Sequence, residues 1–295
     1  MPRAALLSIH ARVDGTHSAI LDDPSIVQLW GPRFSTYVVP ARDRAVFTVG
    51  RLAEDVRGRK RAEEIAADLH AFLDGRRLTD TEAGHALGVH PNRFRYAAPT
   101  GRVLIRWEGA RAPTVWMVPP PEIDPLDARD ELTRRYLHVF GPATPAAFAT
   151  WAGIGAAQAD SAFDALARSL TAVQTPIGEA WILSRDEPAF RTPAMPAGAA
   201  RLLPSGDPYY LLQGADRELL VPEAERRTAL WTSRVWPGAV LVAGEIVGTW
   251  RRSQAKLTIQ PWQRLSPGQR EAVEAEAARL PLPGVEGRIV VRWDD

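Results

Sequence analysis

The chain has 295 residues, a formal net charge of +1, 45% hydrophobic residues and 24% charged residues, which is typical of a globular protein with about two or three small domains. It has no cysteine, so disulfides and thiolate metal sites are excluded, and its six histidines show no metal-ligand spacing with a carboxylate, so neither a metal nor another cofactor is expected. The start of the chain has no apolar run long enough for a signal peptide or a membrane span, which predicts a cytoplasmic protein that does not bind membranes.

The N-terminal residues predict one short helix and then a β-hairpin. Residues 3–12 are compatible with a helix, and two β-like runs, residues 25–30 and 35–39, surround the turn Gly31-Pro32-Arg33. A winged helix needs about three helices before its hairpin wing. Residues 1–55 are therefore predicted to form a partial first winged-helix domain.

Residues 76–120 have the pattern of helix, turn, helix and two-stranded wing. Thr79 and Glu82 make a capping box, and Pro91 suits the first position of a second helix. Two apolar runs, residues 103–107 and 114–118, predict the wing. This is the plan by which a winged helix docks on duplex DNA, so residues 56–122 are predicted as a second winged-helix domain.

The same stretch has no acidic residue between Glu82 and Glu108. Its candidate DNA-binding residues are Arg93, Arg95, Arg102 and Arg106. Arginine is the common cation of this chain, and a single surface arginine is more often a solvated charge than a phosphate ligand. The four together predict a nucleic-acid-binding module.

The later residues predict two further domains and an α+β fold class. Residues 141–183 repeat the helix–turn–helix–wing pattern around Thr144 and Gly178 but lack the arginine cluster, so residues 123–185 are predicted as a third winged helix with a structural role or weak DNA contact. Residues 185–200, rich in proline and alanine, predict a linker. Short strands and one helix in residues 201–295 predict a β-rich, barrel-like C-terminal domain.

Several stretches resemble the winged-helix family that includes the AlkZ and YcaQ DNA glycosylases of bacteria. MPRAALLSIHARVDG, residues 1–15, is similar to a family stretch of the type EPRSAYLALWARLPG. QLWGPRFSTYVVPARD, residues 28–43, is similar to the hairpin RTWAMRGTLHLVPAED. TWAGI at residues 150–154, LLPSGDPYYL at residues 202–211 and VAGEIVGTW at residues 242–250 resemble further family motifs.

The resemblance implies tandem winged helices that hold damaged duplex DNA on a concave surface and cleave the N-glycosidic bond of an alkylated purine. The family's Gln-x-Gln or Gln-x-Asp motif, which positions water, precedes the EPR-like stretch and is therefore expected before Met1, outside this sequence. Tyr37 stands where the family has a hairpin histidine, and His10 stands where it has a tryptophan. Arg12, Arg33 and Tyr37 accordingly join the four arginines as candidate DNA-binding residues.

No residue is assigned to catalysis. A cationic N7-alkylpurine departs as a neutral base, so the chemistry needs only a polar group that orients water and stabilises an oxocarbenium ion. Asp23, Asp43 and Asp207 lie beside plausible strands, but such aspartates usually form turns and caps.

Two alternatives to a repair glycosylase remain open. One is a non-catalytic DNA-binding protein or transcriptional regulator, and the other is a set of winged helices that contacts only proteins. A regulator usually dimerises to read two half-sites, and no long heptad or apolar dimer helix is visible here. The sequence therefore predicts a monomer on double-stranded DNA, damaged or undamaged.

Overall fold

A computed structural model describes residues 2–109, 111–192, 200–212, 214–282, 284–285 and 288–294. The α-helices of these residues are α1 (Pro2–His10), α2 (Arg44–Val49), α3 (Val56–Leu73), α4 (Asp80–Ala86), α5 (Pro125–Phe140), α6 (Pro145–Ala152), α7 (Ala156–Leu166), α8 (Glu187–Arg191), α9 (Asp216–Leu220), α10 (Ala224–Leu230) and α11 (Pro267–Ala278). The strands are β1 (Ile26–Trp30), β2 (Thr36–Pro40), β3 (Leu78–Thr79), β4 (Val103–Arg106), β5 (Thr114–Met117), β6 (Leu170–Thr175), β7 (Gly178–Leu183), β8 (Arg201–Leu203), β9 (Gly238–Val242), β10 (Glu245–Ser253), β11 (Lys256–Pro261) and β12 (Val290–Trp293). The chain forms two compact units, one of residues 22–192 and one of residues 3–21 with residues 193–295.

The first unit contains a five-stranded sheet in the order β2-β1-β4-β5-β3. Strands β1 and β2 pair antiparallel as predicted, with Trp30 opposite Thr36, and β4 pairs with β5 as the second predicted hairpin. The two hairpins are joined in one sheet where Gln28 lies opposite Ile105. Helix α3 covers this sheet with its apolar face, in a core that includes Ile65 and Leu69.

Residues 76–120 keep the predicted order of elements but differ at the second helix. The capping box of α4 is present, since the Thr79 hydroxyl accepts from Glu82 N at 3.2 Å and the Glu82 carboxylate accepts from Thr79 N at 2.8 Å. The segment that follows, Pro91–Thr100, is a 3-10 helix. Pro99 has no N–H to donate within this helix, which disfavours a regular α-helix. The winged-helix assignment of this segment and of its neighbours remains a prediction.

Residues 141–183 fold as a helix pair and a hairpin. The Thr144 hydroxyl caps α6 by accepting from Ala147 N at 3.2 Å, α7 follows after a turn, and β6 pairs antiparallel with β7. The linker predicted for residues 185–200 contains α8, and its residues 193–199 lie outside the described residues.

The second unit contains an open five-stranded sheet in the order β12-β11-β10-β9-β8, so the barrel-like prediction is wrong. Strands β8 and β12 are its two edges within the described residues. Side chains of α11, among them Val273 and Ala277, share a core with sheet residues such as Leu257. A helix that buries the apolar face of a sheet removes the need to close the sheet on itself.

Within residues 201–295, where short strands are predicted, Pro208–Tyr210 forms a short 3-10 turn. The Asp207 carboxylate accepts from Tyr209 N at 2.9 Å and thereby starts the turn. In the described part of the chain, no helix combines the length and the apolar character that crossing a bilayer requires. The same residues contain no cluster of three or more potential metal ligands.

Candidate nucleic-acid interface

The hairpin between β1 and β2 presents Arg33 at a strained tip. Gly31 N donates to Ser35 O at 2.8 Å and closes the turn. Arg33 and Phe34 have φ angles of 56° and 55°, a left-handed conformation that is costly for residues other than glycine. The Tyr37 ring packs so closely on Gly31 that an added Cβ there would lie 2.8 Å from Cδ2. The tip is therefore tightly defined, and Arg33 on it is exposed to solvent.

A column of two aromatic rings with an arginine at each end connects this tip to the 3-10 helix. The Phe34 ring lies 5.0 Å from the Tyr96 ring, measured between centroids. The Arg51 guanidinium carbon lies 4.8 Å from the Phe34 centroid, and that of Arg61 lies 4.1 Å from the Tyr96 centroid. Cation–π contacts of this kind contribute about 0.5–1 kcal/mol each at exposed positions. The column places Arg33 beside the segment that carries Arg93 and Arg95.

Arg51 is buried beneath the tip, with 3% of its surface exposed. Its Nε donates to Ala152 O at 2.7 Å and its Nη1 donates to Trp30 O at 3.2 Å. Burial lowers the pKa of Arg51 to about 10, so the side chain is still charged at neutral pH. Nη2 has no hydrogen-bond partner among the described residues. Sequence reasoning missed Arg51, although it is the single charge in the apolar residues 45–53.

Tyr37 lies between this arginine and Trp151. Burial raises the pKa of Tyr37 to about 12, against the opposing effects of Arg51, Arg33 and the Trp151 side chain, so the hydroxyl keeps its proton at neutral pH. The indole Nε1 of Trp151 is itself buried and makes no hydrogen bond of ordinary geometry to any described residue.

Gly153 completes the arrangement. Its φ of 71° favours glycine, and an added Cβ would lie 3.5 Å from Arg33 N and 3.8 Å from Arg51 Nη2. We call Arg33, Tyr37, Arg51, Trp151 and Gly153 the hairpin cluster. It unites the hairpin and TWAGI stretches, which are more than a hundred residues apart in the sequence.

The other predicted arginines of the first unit differ in their surroundings. Arg93 is exposed and Arg95 is half-buried, both on the 3-10 helix that the column joins to the hairpin tip. Arg102 is half-buried, and its Nε has no partner in the described part of the chain. Arg106 pairs with Asp22 and with Glu108, the latter at 3.3 Å. Arg106 lies in the stretch without acidic residues between Glu82 and Glu108, but in the structure it is paired with carboxylates from outside that stretch.

Arg12 belongs to the second unit, whereas the other predicted arginines belong to the first. Its Nη2 lies 2.7 Å from Asp207 Oδ1, and its Nη1 donates to Asp207 Oδ2 at 3.0 Å and to Ser8 O at 2.8 Å. The Ser8 hydroxyl also donates to the same carboxylate at 2.6 Å, and Asp207 is fully buried. Both terminal nitrogens of Arg12 are thus engaged within the protein, which favours a structural role.

The three carboxylates considered for catalysis are all held by the protein itself. Asp207 pairs with Arg12 as described, and Asp43 pairs with Arg135 at 2.6 Å. Asp23 accepts from Ser25 N at 2.7 Å in a turn, and hydrogen bonds from Ser25 lower the pKa of this carboxyl. These contacts are those of turn formers and ion pairs.

Comparisons with known proteins agree with the arrangement of these motifs. The family model described as "DNA glycosylase AlkZ-like" matches residues 1–281. An interstrand DNA cross-link repair glycosylase of Streptomyces sahachiroi is 28% identical over 174 residues, which cover 57% of this chain but only 46% of that relative. The solved structure of Streptomyces sahachiroi DNA glycosylase AlkZ matches 99% of this chain and 90% of its own with a TM-score of 0.75 at 20% identity, which shows a shared mixed α+β fold. The chain belongs to the AlkZ-like family of DNA glycosylases.

Proposed function

We propose that this protein is a DNA-repair glycosylase that binds double-stranded DNA and releases alkylated or bulky-adduct purines. The family match over residues 1–281 carries the proposal. Tandem winged helices, action as a monomer and a cytoplasmic location are parts of the same proposal, which names no catalytic residue.

The hairpin cluster and the neighbouring 3-10 helix support DNA binding at one face. Arg33 is exposed at a tightly defined tip, and Arg93 is exposed on the adjoining segment. Guanidinium groups form strong, directional hydrogen bonds with phosphate oxygens. Moving a damaged base out of the stack costs a few kcal/mol, and a rigid tip that holds the distorted backbone offsets part of that cost.

The activity is tested with a duplex that carries a single N7-methylguanine. The expected result is release of the free base, detected by mass spectrometry, together with an alkali-labile abasic site in the DNA. Binding without base release would support the alternative of a non-catalytic binding protein or regulator. Failure to bind duplex DNA would overturn the proposal and favour winged helices that contact proteins.

Arg33→Ala should weaken binding to alkylated duplex by about tenfold, the effect of one charge-assisted hydrogen bond, and binding to undamaged duplex by less. The reason is that the tip is proposed to hold the backbone where it is distorted. Fluorescence anisotropy with both duplexes measures the two losses. The matched control is Arg264→Ala, an exposed arginine of the second unit that should change neither affinity. Equal losses on both duplexes would reduce Arg33 to a general phosphate contact, and no loss would remove the tip from the interface.

The double substitution Arg93→Ala with Arg95→Ala should lower the slope of log affinity against log salt concentration by about two units, one for each lost phosphate contact. Anisotropy titrations over a range of KCl concentrations measure this slope. Arg106→Ala is an internal comparison and should change the slope less, because Asp22 and Glu108 already pair with Arg106. An unchanged slope in the double variant would show that the 3-10 helix does not face DNA.

A further inference from the structure

Arg51 stands apart from the other fully buried arginine of the first unit. Arg129, 2% exposed, pairs with the Glu54 carboxylate and donates to Gly50 O and Leu52 O. Arg51 is as deeply buried and also donates to two backbone carbonyls, but no described carboxylate pairs with it. A buried charge normally has a counterion, because the loss of hydration is otherwise uncompensated. The anion that would complete the surroundings of Arg51 is therefore external to the described chain.

The donors around Arg51 indicate what kind of anion fits. Nη2 of Arg51 is a buried N–H donor without a partner among the described residues. The buried Nε1 of Trp151 interacts with the Tyr37 oxygen but makes no hydrogen bond of ordinary geometry to a described residue, and the charge of Arg51 also acts on Tyr37. A guanidinium, an indole N–H and a protonated phenol all donate hydrogen bonds, and the guanidinium and indole cannot accept any. Such a set matches a negatively charged oxygen and is unsuited to a cation.

Access to these donors runs past Gly153, which is exposed and has no side chain. The position of an added Cβ, 3.8 Å from Arg51 Nη2, marks where an incoming oxygen would approach. Arg33 N lies 3.5 Å from that position, so the hairpin tip borders the entrance. Arg33 and Phe34 at this border have left-handed φ angles of 56° and 55°, a conformation that is costly for residues other than glycine.

We propose that Arg51, Trp151 and Tyr37 bind a non-bridging oxygen of one phosphodiester group of duplex DNA, which enters beside Gly153 beneath the Arg33 tip. This site rests on the proposed function, since it assigns one DNA phosphate to the hairpin cluster. It differs from a surface contact in that the phosphate is desolvated, and one position in the bound strand should therefore matter far more than its neighbours.

The test changes both partners. In the DNA, one phosphate at a time is made neutral, and in the protein, one hydrogen-bond donor is removed. Duplexes that carry a single neutral methylphosphonate at successive positions are titrated against the wild type, Trp151→Phe and Tyr37→Phe. Tyr37→Phe keeps the ring and Trp151→Phe keeps a smaller aromatic side chain, and neither removes a group that accepts from Arg51, namely Ala152 O and Trp30 O. Trp262→Phe is the matched control, because Trp262 Nε1 is also buried without a described partner but belongs to the second unit.

The wild type should lose about tenfold in affinity at one methylphosphonate position, the effect of one charge-assisted hydrogen bond. Trp151→Phe should bind the unmodified duplex about tenfold more weakly than the wild type, with an unchanged salt slope. The methylphosphonate at the sensitive position should weaken the binding of this variant little further. Trp262→Phe should behave as the wild type. If Trp151→Phe binds every duplex more weakly than the wild type by the same factor, including the duplex with the methylphosphonate at the sensitive position, the phosphate site is overturned. Duplex binding itself is not contradicted by that result.

Two further outcomes separate this inference from the proposed function. If the wild type does not bind duplex at all, the proposed function fails, and with it the assignment to DNA. The second measurement is the melting temperature of the protein with and without inorganic phosphate at constant ionic strength, which tests whether the anion is free phosphate. The site binds free phosphate rather than DNA if two results occur together. Inorganic phosphate stabilises the wild type but not Trp151→Phe, and no methylphosphonate position weakens duplex binding.

Discussion

Arg12→Ala should lower the free energy of unfolding of the second unit by about 2–3 kcal/mol, because it leaves the buried Asp207 carboxylate without its counterion, although Arg12 itself is 45% exposed. The Asp207 carboxylate is fully buried, and Arg12 meets both of its oxygens. Without Arg12 the carboxylate keeps only the Ser8 hydroxyl and Tyr209 N as donors. The loss is large because it falls on a charge that water cannot reach.

Chemical denaturation of the variant, followed by circular dichroism, measures this loss. Arg292→Ala is the matched control in the same unit, because its pair with Asp294 is 3.7 Å long and more than half exposed on both sides, so its loss should cost less than about 1 kcal/mol. The double variant Arg12→Ala with Asp207→Asn should be less unstable than the sum of the two single changes, since no unpaired charge remains. Wild-type stability with a specific loss of DNA binding would instead return Arg12 to the interface.

The ion pair of Arg12 with Asp207 could not be predicted from the sequence. The partners are 195 positions apart, in two stretches that each resembled the family on their own. A lone arginine near a basic region is indistinguishable from a phosphate ligand until its counterion is located. Asp207 was equally ambiguous, because its local signal, a proline and a turn, accounts for the contact with Tyr209 N but not for that with Arg12.

Features decided by neighbouring residues were predictable. The capping box of Thr79 and Glu82, the Thr144 cap and both hairpins of the first unit follow from spacings of a few residues. The 3-10 geometry of Pro91–Thr100 was not predicted by the helix-start signal at Pro91; Pro99 lies inside this helix and removes a backbone donor from it. The joining of two hairpins into one sheet and the open C-terminal sheet depend on long-range pairing, which no local pattern specifies.

The candidate site divides in the same way. Arg33 and Tyr37 were predictable, since the turn signal and the family stretch both lie in one hairpin. Arg51 lies in the turn after α2 and Trp151 lies on α6, and both are linked to that hairpin only in space. Arg51 nevertheless left a local signal, a single charge inside an apolar run, which indicates a buried cation with a specific role.

Trp250→Ala should cost about 3–5 kcal/mol of stability in the second unit, the usual range for removing a buried large aromatic side chain. Trp250 is 6% exposed and packs in the core with Leu202 and Ile259. Its Nε1 donates to Leu203 O at 2.8 Å, which also ties β10 to the edge strand β8. Alanine would leave both a cavity and a carbonyl without its donor.

Gly238 supplies the comparison that assigns the loss to this packing. A Cβ on Gly238 would lie 2.2 Å from Trp250 Nε1 and 2.5 Å from Leu203 O, so Gly238→Ala should also be strongly destabilising in the wild type. Combined with Trp250→Ala, the clash with the ring is gone and only that with Leu203 O remains, so the double variant should lose less stability than the sum of the two single changes. Denaturation of both single variants and the double variant measures this coupling. A melting temperature near that of the wild type for Trp250→Ala, with a specific loss of DNA binding, would show that the ring contacts DNA bases rather than the core.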